Sequence, residues 1–166
     1  MIHLLPLDAS TLDRLLAGPD AFLSAICTNC AEVSESIAAV AHTTRQHQEK
    51  VGCRPPWVGY LAQEIADTTL VGACGFKGNP DADGSVEIAY FTIPAYEGRG
   101  YATEMARRLV QIAWEAGSVQ RVLAHTLPEI NASGRVLGKI GMTKLGEVLD
   151  PEDGRVWRWE MRRRPV

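Results

Sequence analysis

The sequence predicts one α+β domain, because helical and strand-like segments alternate along the whole chain without repeats or linkers. The chain has 166 residues, and 46% of them are hydrophobic, which is enough to build a substantial core. A glycine-bearing turn at residues 97–100 joins a strand-like run to an amphipathic run. These three observations favour a single domain that spans residues 1–166.

The first half of the chain is predicted to hold a strand, helices and then two further strands. Helical periodicity extends across residues 21–48, with an expected break near Thr28 and Asn29. A turn at Asp67 and Thr68 separates the two later strands. In order, the predicted elements are a strand at 2–7, helices at 11–16 and 21–48, and strands at 57–65 and 70–77.

The second half opens with the clearest strand, residues 85–93, which is apolar, β-branched and aromatic and is stopped by Pro94. Apolar residues then recur at helical spacing over 102–116. In the last strand Trp157, Trp159 and Met161 should share one face by period-two alternation. The other predicted elements are a strand at 121–127, a helix from Asn131 to Gly141 with Asn131 or Ser133 as its N-cap, and a hairpin of strands at 144–149 and 155–162.

The turn before the 102–116 helix has the features of a phosphate site. Gly98 and Gly100 permit backbone conformations closed to other residues, and the first N–H groups of a helix lack intrahelical acceptors. A dinucleotide fingerprint requires glycine where Thr103 stands, and an ATP-type loop requires Gly-Lys-Ser/Thr where Gly100 is followed by Tyr101 and Ala102. Neither nucleotide motif is therefore present, and a plain glycine turn is the alternative.

The turn resembles the acyl-CoA loop of the GNAT superfamily of N-acetyltransferases. That loop has Gln or Arg, two residues, Gly, one residue, then Gly or Ala; Gly100 and Ala102 match, while Glu97 departs from it. A second segment is similar to the branch that contains the ribosomal-protein N-terminal acetyltransferases. Its matches are Ser133, Val136, Leu137, Lys139 and Gly141, and its departures are Ile130 followed by Asn131, and Met142 in place of Phe. Together the two segments cover residues 85 to about 149, less than half of the chain.

The resemblance implies a central, mostly antiparallel twisted sheet of about seven strands flanked by helices, splayed where the strands at 85–93 and 121–127 part. It also implies acetyl-CoA as co-substrate, with the pyrophosphate on the backbone of the turn. Backbone N–H groups at 91–93 would align the pantetheine and stabilise the oxyanion. The implied cofactor-binding residues are Phe91, Thr92, Ile93, Gly98, Arg99, Gly100, Tyr101, Ala102, Thr103 and Asn131.

An amine that attacks a thioester must be neutral, so a base or a water chain must receive its proton. Glu87 is the first candidate because it alternates with Ala89 and Phe91 in an otherwise apolar strand, where a carboxylate is costly without a wet cleft or a partner. A structural ion pair is the alternative for Glu87. His125, near the end of the neighbouring strand, is the second candidate base. Its alternative role is to line the cleft or to cap a helix.

The leaving thiolate also requires a proton or a hydrogen bond. Ser133 is a candidate donor, with helix capping as its alternative role. Many superfamily members use a tyrosine after the start of the last helix as general acid. None of the four tyrosines, Tyr60, Tyr90, Tyr96 and Tyr101, stands there in the sequence. We therefore expect another residue to protonate CoA, or no dedicated acid.

The expected partners are acetyl-CoA and an amine acceptor, whose pocket should be shaped by residues 18–56 and the 150–154 turn. A net charge of −3 argues against nucleic acid or an anionic membrane. No stretch approaches the ~20 apolar residues of a membrane span, and the first residues lack the features of a signal peptide. We expect a cytoplasmic monomer or homodimer with reduced thiols.

One metal motif competes with this interpretation. Cys27 and Cys30, followed by His42 and His47, have nearly the spacing of a zinc finger. A helix over residues 31–49, at about 1.5 Å per residue, would hold the histidines too far from the cysteines, so we expect no metal. The predicted function is acetyl transfer to a primary amine by direct attack in a ternary complex. An acyl-CoA sensor or an inactive module of the same fold is the alternative.

Overall fold

Seven strands, five α-helices and one short 3-10 helix make up residues 1–164, the part of the chain that the computed structural model describes. In chain order they are β1 (Ile2–Pro6), α1 (Ala9–Ala17), α2 (Pro19–Ile26), α3 (Cys30–Val51), β2 (Gly59–Glu64), β3 (Leu70–Phe76), β4 (Ser85–Thr92), the 3-10 helix (Pro94–Tyr96), α4 (Tyr101–Glu115), β5 (Arg121–Thr126), α5 (Ala132–Ile140), β6 (Thr143–Asp150) and β7 (Gly154–Arg162).

The strands form one sheet in the order β1-β2-β3-β4-β5-β7-β6. Every neighbouring pair is antiparallel except β4 and β5, which confirms the mostly antiparallel sheet. β4 and β5 are paired at three positions only, and Glu87 opposite Leu123 is the last of them. Beyond Glu87 the two strands part, so the expected splay is confirmed.

Helices cover the two faces of the sheet and create two cores. α1, α2 and α3 pack on one face around Leu12, Leu23 and Ile37, and α4 and α5 pack on the other around Leu109 and Leu137. Successive side chains of a strand point to opposite faces of the sheet, so one strand contributes residues to both cores. In β2, for example, Leu61 lies in the first core, whereas its neighbours Tyr60 and Ala62 lie in the second.

The caps of α5 decide between the two N-cap candidates. The Asn131 side chain accepts a hydrogen bond from the Gly134 N–H at 2.9 Å, so Asn131 is the N-cap and a capping role for Ser133 is wrong. Ser133 lies inside the first turn, two residues after the N-cap position. At the other end Gly141 takes a left-handed conformation with φ 92°, as its position in the sequence predicts.

Asn29 separates α2 from α3 and ties this junction to the sheet. The Asn29 amide N–H donates to the Leu70 carbonyl and to the Tyr96 hydroxyl, each at 3.0 Å, and its carbonyl accepts from the Leu70 N–H at 3.0 Å. The side chain is buried, with 9% of the residue exposed. The predicted break near this residue is confirmed. The 3-10 helix after β4 was not predicted, because three residues are too few for a periodic pattern.

The four cysteines, all within the described part of the chain, are free thiols. Cys74 is buried, and Cys53 is partly buried. Between residues 1 and 164 no three His, Cys, Asp or Glu side chains are grouped so as to hold a metal ion, and the lack of a metal stays a prediction. In the same stretch, none of the helices combines the length and the apolar character needed to span a membrane.

We expect Asn29→Ala to lower the free energy of unfolding by about 2 kcal/mol, because the substitution leaves the buried Leu70 N–H and carbonyl without partners. Urea denaturation measures the effect. The matched control is Asn79→Ala, which also removes a hydrogen bond to a carbonyl, but at an exposed position. Equal stability of the two variants would show that the Asn29 bonds do not hold the junction.

Candidate active site

Both predicted bases meet at the point where β4 and β5 part. Nδ1 of His125, on β5, lies 2.9 Å from Oε1 of Glu87, on β4. Lys77 Nζ lies 3.0 Å from the same oxygen. The Glu87 side chain is 22% exposed and that of His125 is 12% exposed. The structure therefore joins the two candidates into one hydrogen-bonded cluster with a cation that the sequence analysis missed.

Strand register explains how Lys77 reaches Glu87. The Lys77 N–H donates to the Glu87 carbonyl at 2.9 Å, directly after the β3–β4 ladder ends at Phe76 opposite Ile88. Cross-strand partners in an antiparallel pair point to the same face of the sheet, so the two side chains meet. A register assignment for this hairpin would have found Lys77, but the eight residues between β3 and β4 hide it from local pattern analysis.

Lys77 also bridges the sheet to the β6–β7 turn, since its Nζ lies 3.6 Å from Asp153 Oδ2. Burial alone would lower the pKa of Lys77. The nearby charge of Glu87, its hydrogen bond and the charge of Asp153 outweigh burial and raise this pKa above its ordinary value. Lys77 is therefore a charged ammonium at neutral pH and not a nucleophile.

The β6–β7 turn is organised by Asp150. Its carboxylate accepts hydrogen bonds from the backbone N–H groups of Glu152 at 2.8 Å and Asp153 at 2.9 Å. The bond from Asp153 contributes most, followed by the bond from Glu152, and together they hold the pKa of Asp150 below its ordinary value. This local bonding fixes the turn whose Asp153 side chain pairs with Lys77.

A cavity of about 660 Å³ lies beside the cluster, between α3 and the sheet. Residues from both segments predicted to shape the acceptor pocket line it, namely part of α3 and two residues of the β6–β7 turn. Its walls include Ala39, Val40, Thr43, Thr44 and His47 of α3, Val58, Ala73, Phe76 and Lys77, Ala89 and Phe91 of β4, and Glu152 and Asp153 of the turn. That this cavity receives the acceptor stays a prediction.

The glycine turn presents an open helix N-terminus. Gly98 and Gly100 have φ values of 74° and 88°, and Gly100 is the N-cap of α4. No side chain in residues 1–164 caps this helix, and no atom lies within 4 Å of where a Cβ would stand on either glycine. The N–H groups of the first turn, residues 101–103, have no acceptor within the helix. The geometry is that of an anion-binding site.

The expected backbone donors at 91–93 are only partly placed as predicted. The Ile93 N–H donates to the Val71 carbonyl at 2.9 Å, so its assignment as a free donor is wrong. Because hydrogen bonding alternates along an antiparallel strand, the Phe91 N–H also points to β3 and that of Thr92 points into the gap. The Thr92 hydroxyl is buried with no partner among the described residues. Thr92 is therefore the residue of this trio that the fold leaves open to a ligand.

Tyr90 also lies at this site, although the sequence assigns it no role there. Its hydroxyl donates to the Ser133 carbonyl at 3.1 Å, although the two residues are 43 positions apart. A tyrosine hydroxyl thus does lie at the first turn of α5, which corrects the expectation that none is available there. Burial raises the pKa of Tyr90 to about 12, with the Ser133 bond opposing the rise, so this hydroxyl stays protonated at neutral pH.

Comparisons with known proteins agree with this architecture. The family model described as acetyltransferase (GNAT) domain matches residues 2–143. The uncharacterized N-acetyltransferase YoaA of Bacillus subtilis (strain 168) is 29% identical over 119 residues, which cover 71% of this chain and 64% of that protein. YjdG of the same strain, also named an uncharacterized N-acetyltransferase, is 33% identical over 72 residues, 43% of each chain. The chain thus spans less than two thirds of either relative.

Solved structures show the same fold. An acetyltransferase (GNAT family) from Bacillus anthracis is 25% identical with a TM-score of 0.56, covering 63% of this chain and 65% of that one. The ribosomal L7/L12 alpha-N-protein acetyltransferase RimL, in complex with coenzyme A, has a TM-score of 0.63 at 15% identity, covering 97% and 93%. At that identity the likeness to RimL concerns the fold alone.

We expect Asp150→Ala to destabilise the protein at neutral pH and to lose this effect as the pH falls. The folded-state pKa of Asp150 is depressed, so its stabilising contribution is present above the unfolded-state pKa and disappears as the pH drops through the folded one. Thermal unfolding at several pH values between 2 and 7 measures the difference from the unmodified protein. Leu149→Ala, an exposed neighbour that does not titrate, serves as the control. A pH-independent Asp150→Ala effect would contradict this role.

Proposed function

The chain belongs to the GNAT acetyltransferase family, and from this premise we propose that it transfers an acetyl group from acetyl-CoA to a primary amine by direct attack in a ternary complex. The observation that carries the proposal is the Glu87–His125–Lys77 cluster, which lies where β4 and β5 part and beside a cavity large enough for a substrate. A cluster of ionisable side chains in a cleft is the usual setting for proton transfer.

The residues around the gap fit acetyl-CoA. The open N-terminus of α4 and the positive-φ glycines before it suit a pyrophosphate, because backbone N–H groups and the helix dipole both favour negative charge there. The Thr92 N–H, which points into the gap, suits a carbonyl group of the pantetheine. Asn131 uses its carbonyl as the α5 cap, which leaves its amide N–H groups for the same arm.

Proton removal from the amine is the task we assign to Glu87. Its Oε1 contacts both His125 and Lys77, whereas Oε2 accepts no hydrogen bond from the residues described, and so Oε2 can accept a proton directly or through water. Lys77 offsets the charge of Glu87 in this half-buried position. His125 holds the carboxylate in place and offers a second group to carry the proton onward.

The leaving thiolate would find its hydrogen-bond donor at the first turn of α5. Ser133 is free of the capping role, so its hydroxyl is the donor we propose. Tyr90 binds the Ser133 carbonyl and thereby positions this turn relative to β4. Much of the rate acceleration would come from holding amine and thioester in contact across the gap.

An acyl-CoA sensor of the same fold remains the competing function, and product analysis separates the two. Mass spectrometry after incubation with acetyl-CoA and an amine panel should detect acetylated amine and an equal amount of free CoA. A sensor would bind acetyl-CoA and produce neither.

We expect Gly100→Val to weaken acetyl-CoA binding by about tenfold or more, because the side chain would stand where the ligand approaches the backbone. Isothermal titration calorimetry measures the affinity, and Gly98→Glu should weaken it as well. Gly117→Val is a matched control, since Gly117 has a similar φ of 76° and equally open surroundings, at the opposite end of α4. If Gly117→Val weakens binding as much as Gly100→Val, backbone strain and not the loop accounts for the loss.

We expect Glu87→Gln to reduce kcat by about 100-fold or more, because it keeps the shape of the side chain but removes the base. The pH–rate profile should lose its acidic limb, while calorimetry should show nearly unchanged acetyl-CoA affinity. Glu147→Gln, on the exposed part of β6, is the control and should retain full turnover. Near-normal turnover of Glu87→Gln with an intact acidic limb would leave Glu87 with a structural role, and His125→Ala would then be the next variant to test.

A further inference from the structure

The cavity beside the Glu87 cluster is mainly apolar on the sheet side, and α3 adds the polar residues Thr43, Thr44, His47 and Gln48. Val40 of α3 faces it from one side, and Ala73, Ala89 and Phe91 of the sheet face it from the other. Phe91 is 43% exposed, which is unusual for a phenylalanine in the middle of a sheet and leaves its ring open to the cavity. The part of a ligand that fills this space must therefore be mainly apolar, because a charged group there would lose its hydration without gaining a partner.

The charged end of the cavity is acidic. Glu152 and Asp153 line it with side chains that are 72% and 55% exposed, and Lys77, also a lining residue, pairs with Glu87. Lys77 is the only lysine or arginine among the described lining residues, and it is already paired with both Glu87 and Asp153. The His47 ring is engaged with the Lys77 carbonyl at 3.0 Å. No lining cation is left to receive a carboxylate from a substrate.

We infer that the acceptor is a primary amine whose nitrogen is attached to an apolar group, with no carboxylate on the carbon next to the nitrogen. Such a group occurs in arylalkyl- and alkylamines and at the amino end of a chain whose first residue is apolar. A neighbouring carboxylate would enter a region bounded by Glu87, Glu152 and Asp153 and be repelled. Extra ammonium groups, as in a polyamine, would have to lie against the apolar walls. This inference rests on the proposed function and narrows its substrate class.

The reaction balances with groups already present. The neutral amine nitrogen forms a bond to the thioester carbonyl carbon, and the carbon–sulfur bond breaks. The proton lost by nitrogen passes to Glu87 or its bound water, and the thiolate takes up one proton to leave as free CoA.

A matched pair of acceptors tests the inference. Phenylalanine amide carries an uncharged amide where phenylalanine carries a carboxylate. Because the carboxylate also raises the pKa of the neighbouring amine, kcat/KM, followed by the release of the CoA thiol, is expressed per neutral amine. We expect phenylalanine amide to exceed phenylalanine by roughly tenfold or more. 2-Phenylethylamine and spermidine form the second comparison, and we expect the aromatic amine to be preferred. The ratio of 2-phenylethylamine to phenylalanine amide then distinguishes a free small amine from the amino end of a chain.

A charge reversal at the rim links the preference to the cavity. Glu152→Lys should reduce the ratio of amide to acid by about threefold or more, because it removes one repelling carboxylate and supplies a cation. Glu152 makes only an exposed ion pair with Lys50, so the fold should tolerate the change. Glu147→Lys, on the same hairpin but outside the cavity, is the control and should leave the ratio unchanged.

Equal activity on both members of either pair, or a preference for phenylalanine or spermidine, would overturn the inference. An equal change of the amide-to-acid ratio in the Glu152→Lys and Glu147→Lys variants would also overturn it. If calorimetry shows acetyl-CoA binding but none of the four amines is acetylated, the substrate class is wrong while the CoA site stands. If acetyl-CoA does not bind at all, the proposed function itself fails.

Discussion

The short parallel pairing between β4 and β5 is the constraint on which the rest of the site depends. Three residue pairs hold these strands together, and past Glu87 each strand follows the twist of its own antiparallel neighbours. Unpaired backbone then lines the gap from both sides, which an ordinary sheet would not tolerate in its interior. A ligand with its own donors and acceptors can satisfy these groups, so the break in the sheet and the proposed binding of acetyl-CoA have one physical origin.

Charge pairing stabilises the Glu87 carboxylate at the gap between β4 and β5. A carboxylate in a half-buried strand position is unfavourable alone, and Glu87 is offset by Lys77 on one side and contacted by His125 on the other. Lys77 extends the pairing to Asp153, so the turn that borders the cavity is connected to β4. The proposed acceptor pocket and the proposed base are thus held together by contacting side chains.

Local patterns predicted most elements, and the errors arose where partners are distant in sequence. The ends of α3 and α5 follow from glycine geometry, and the break at Asn29 was recognised. By contrast, the Ile93 N–H, which is expected to be a free donor, binds the Val71 carbonyl of β3. The Tyr90 hydroxyl reaches α5, where no tyrosine is expected from the sequence. Register between strands decides both cases, and hydrophobic periodicity contains no information on register across a long turn.

The sequence by itself determined the element order, the glycine turn before α4, the family and the two candidate bases, because these depend on neighbours within a few turns of chain. Only the tertiary structure decided that Glu87 and His125 share a hydrogen bond, that Lys77 joins them, and that an apolar cavity with an acidic rim lies beside them. These contacts link residues 10 to 76 positions apart, and their geometry depends on how whole strands are paired.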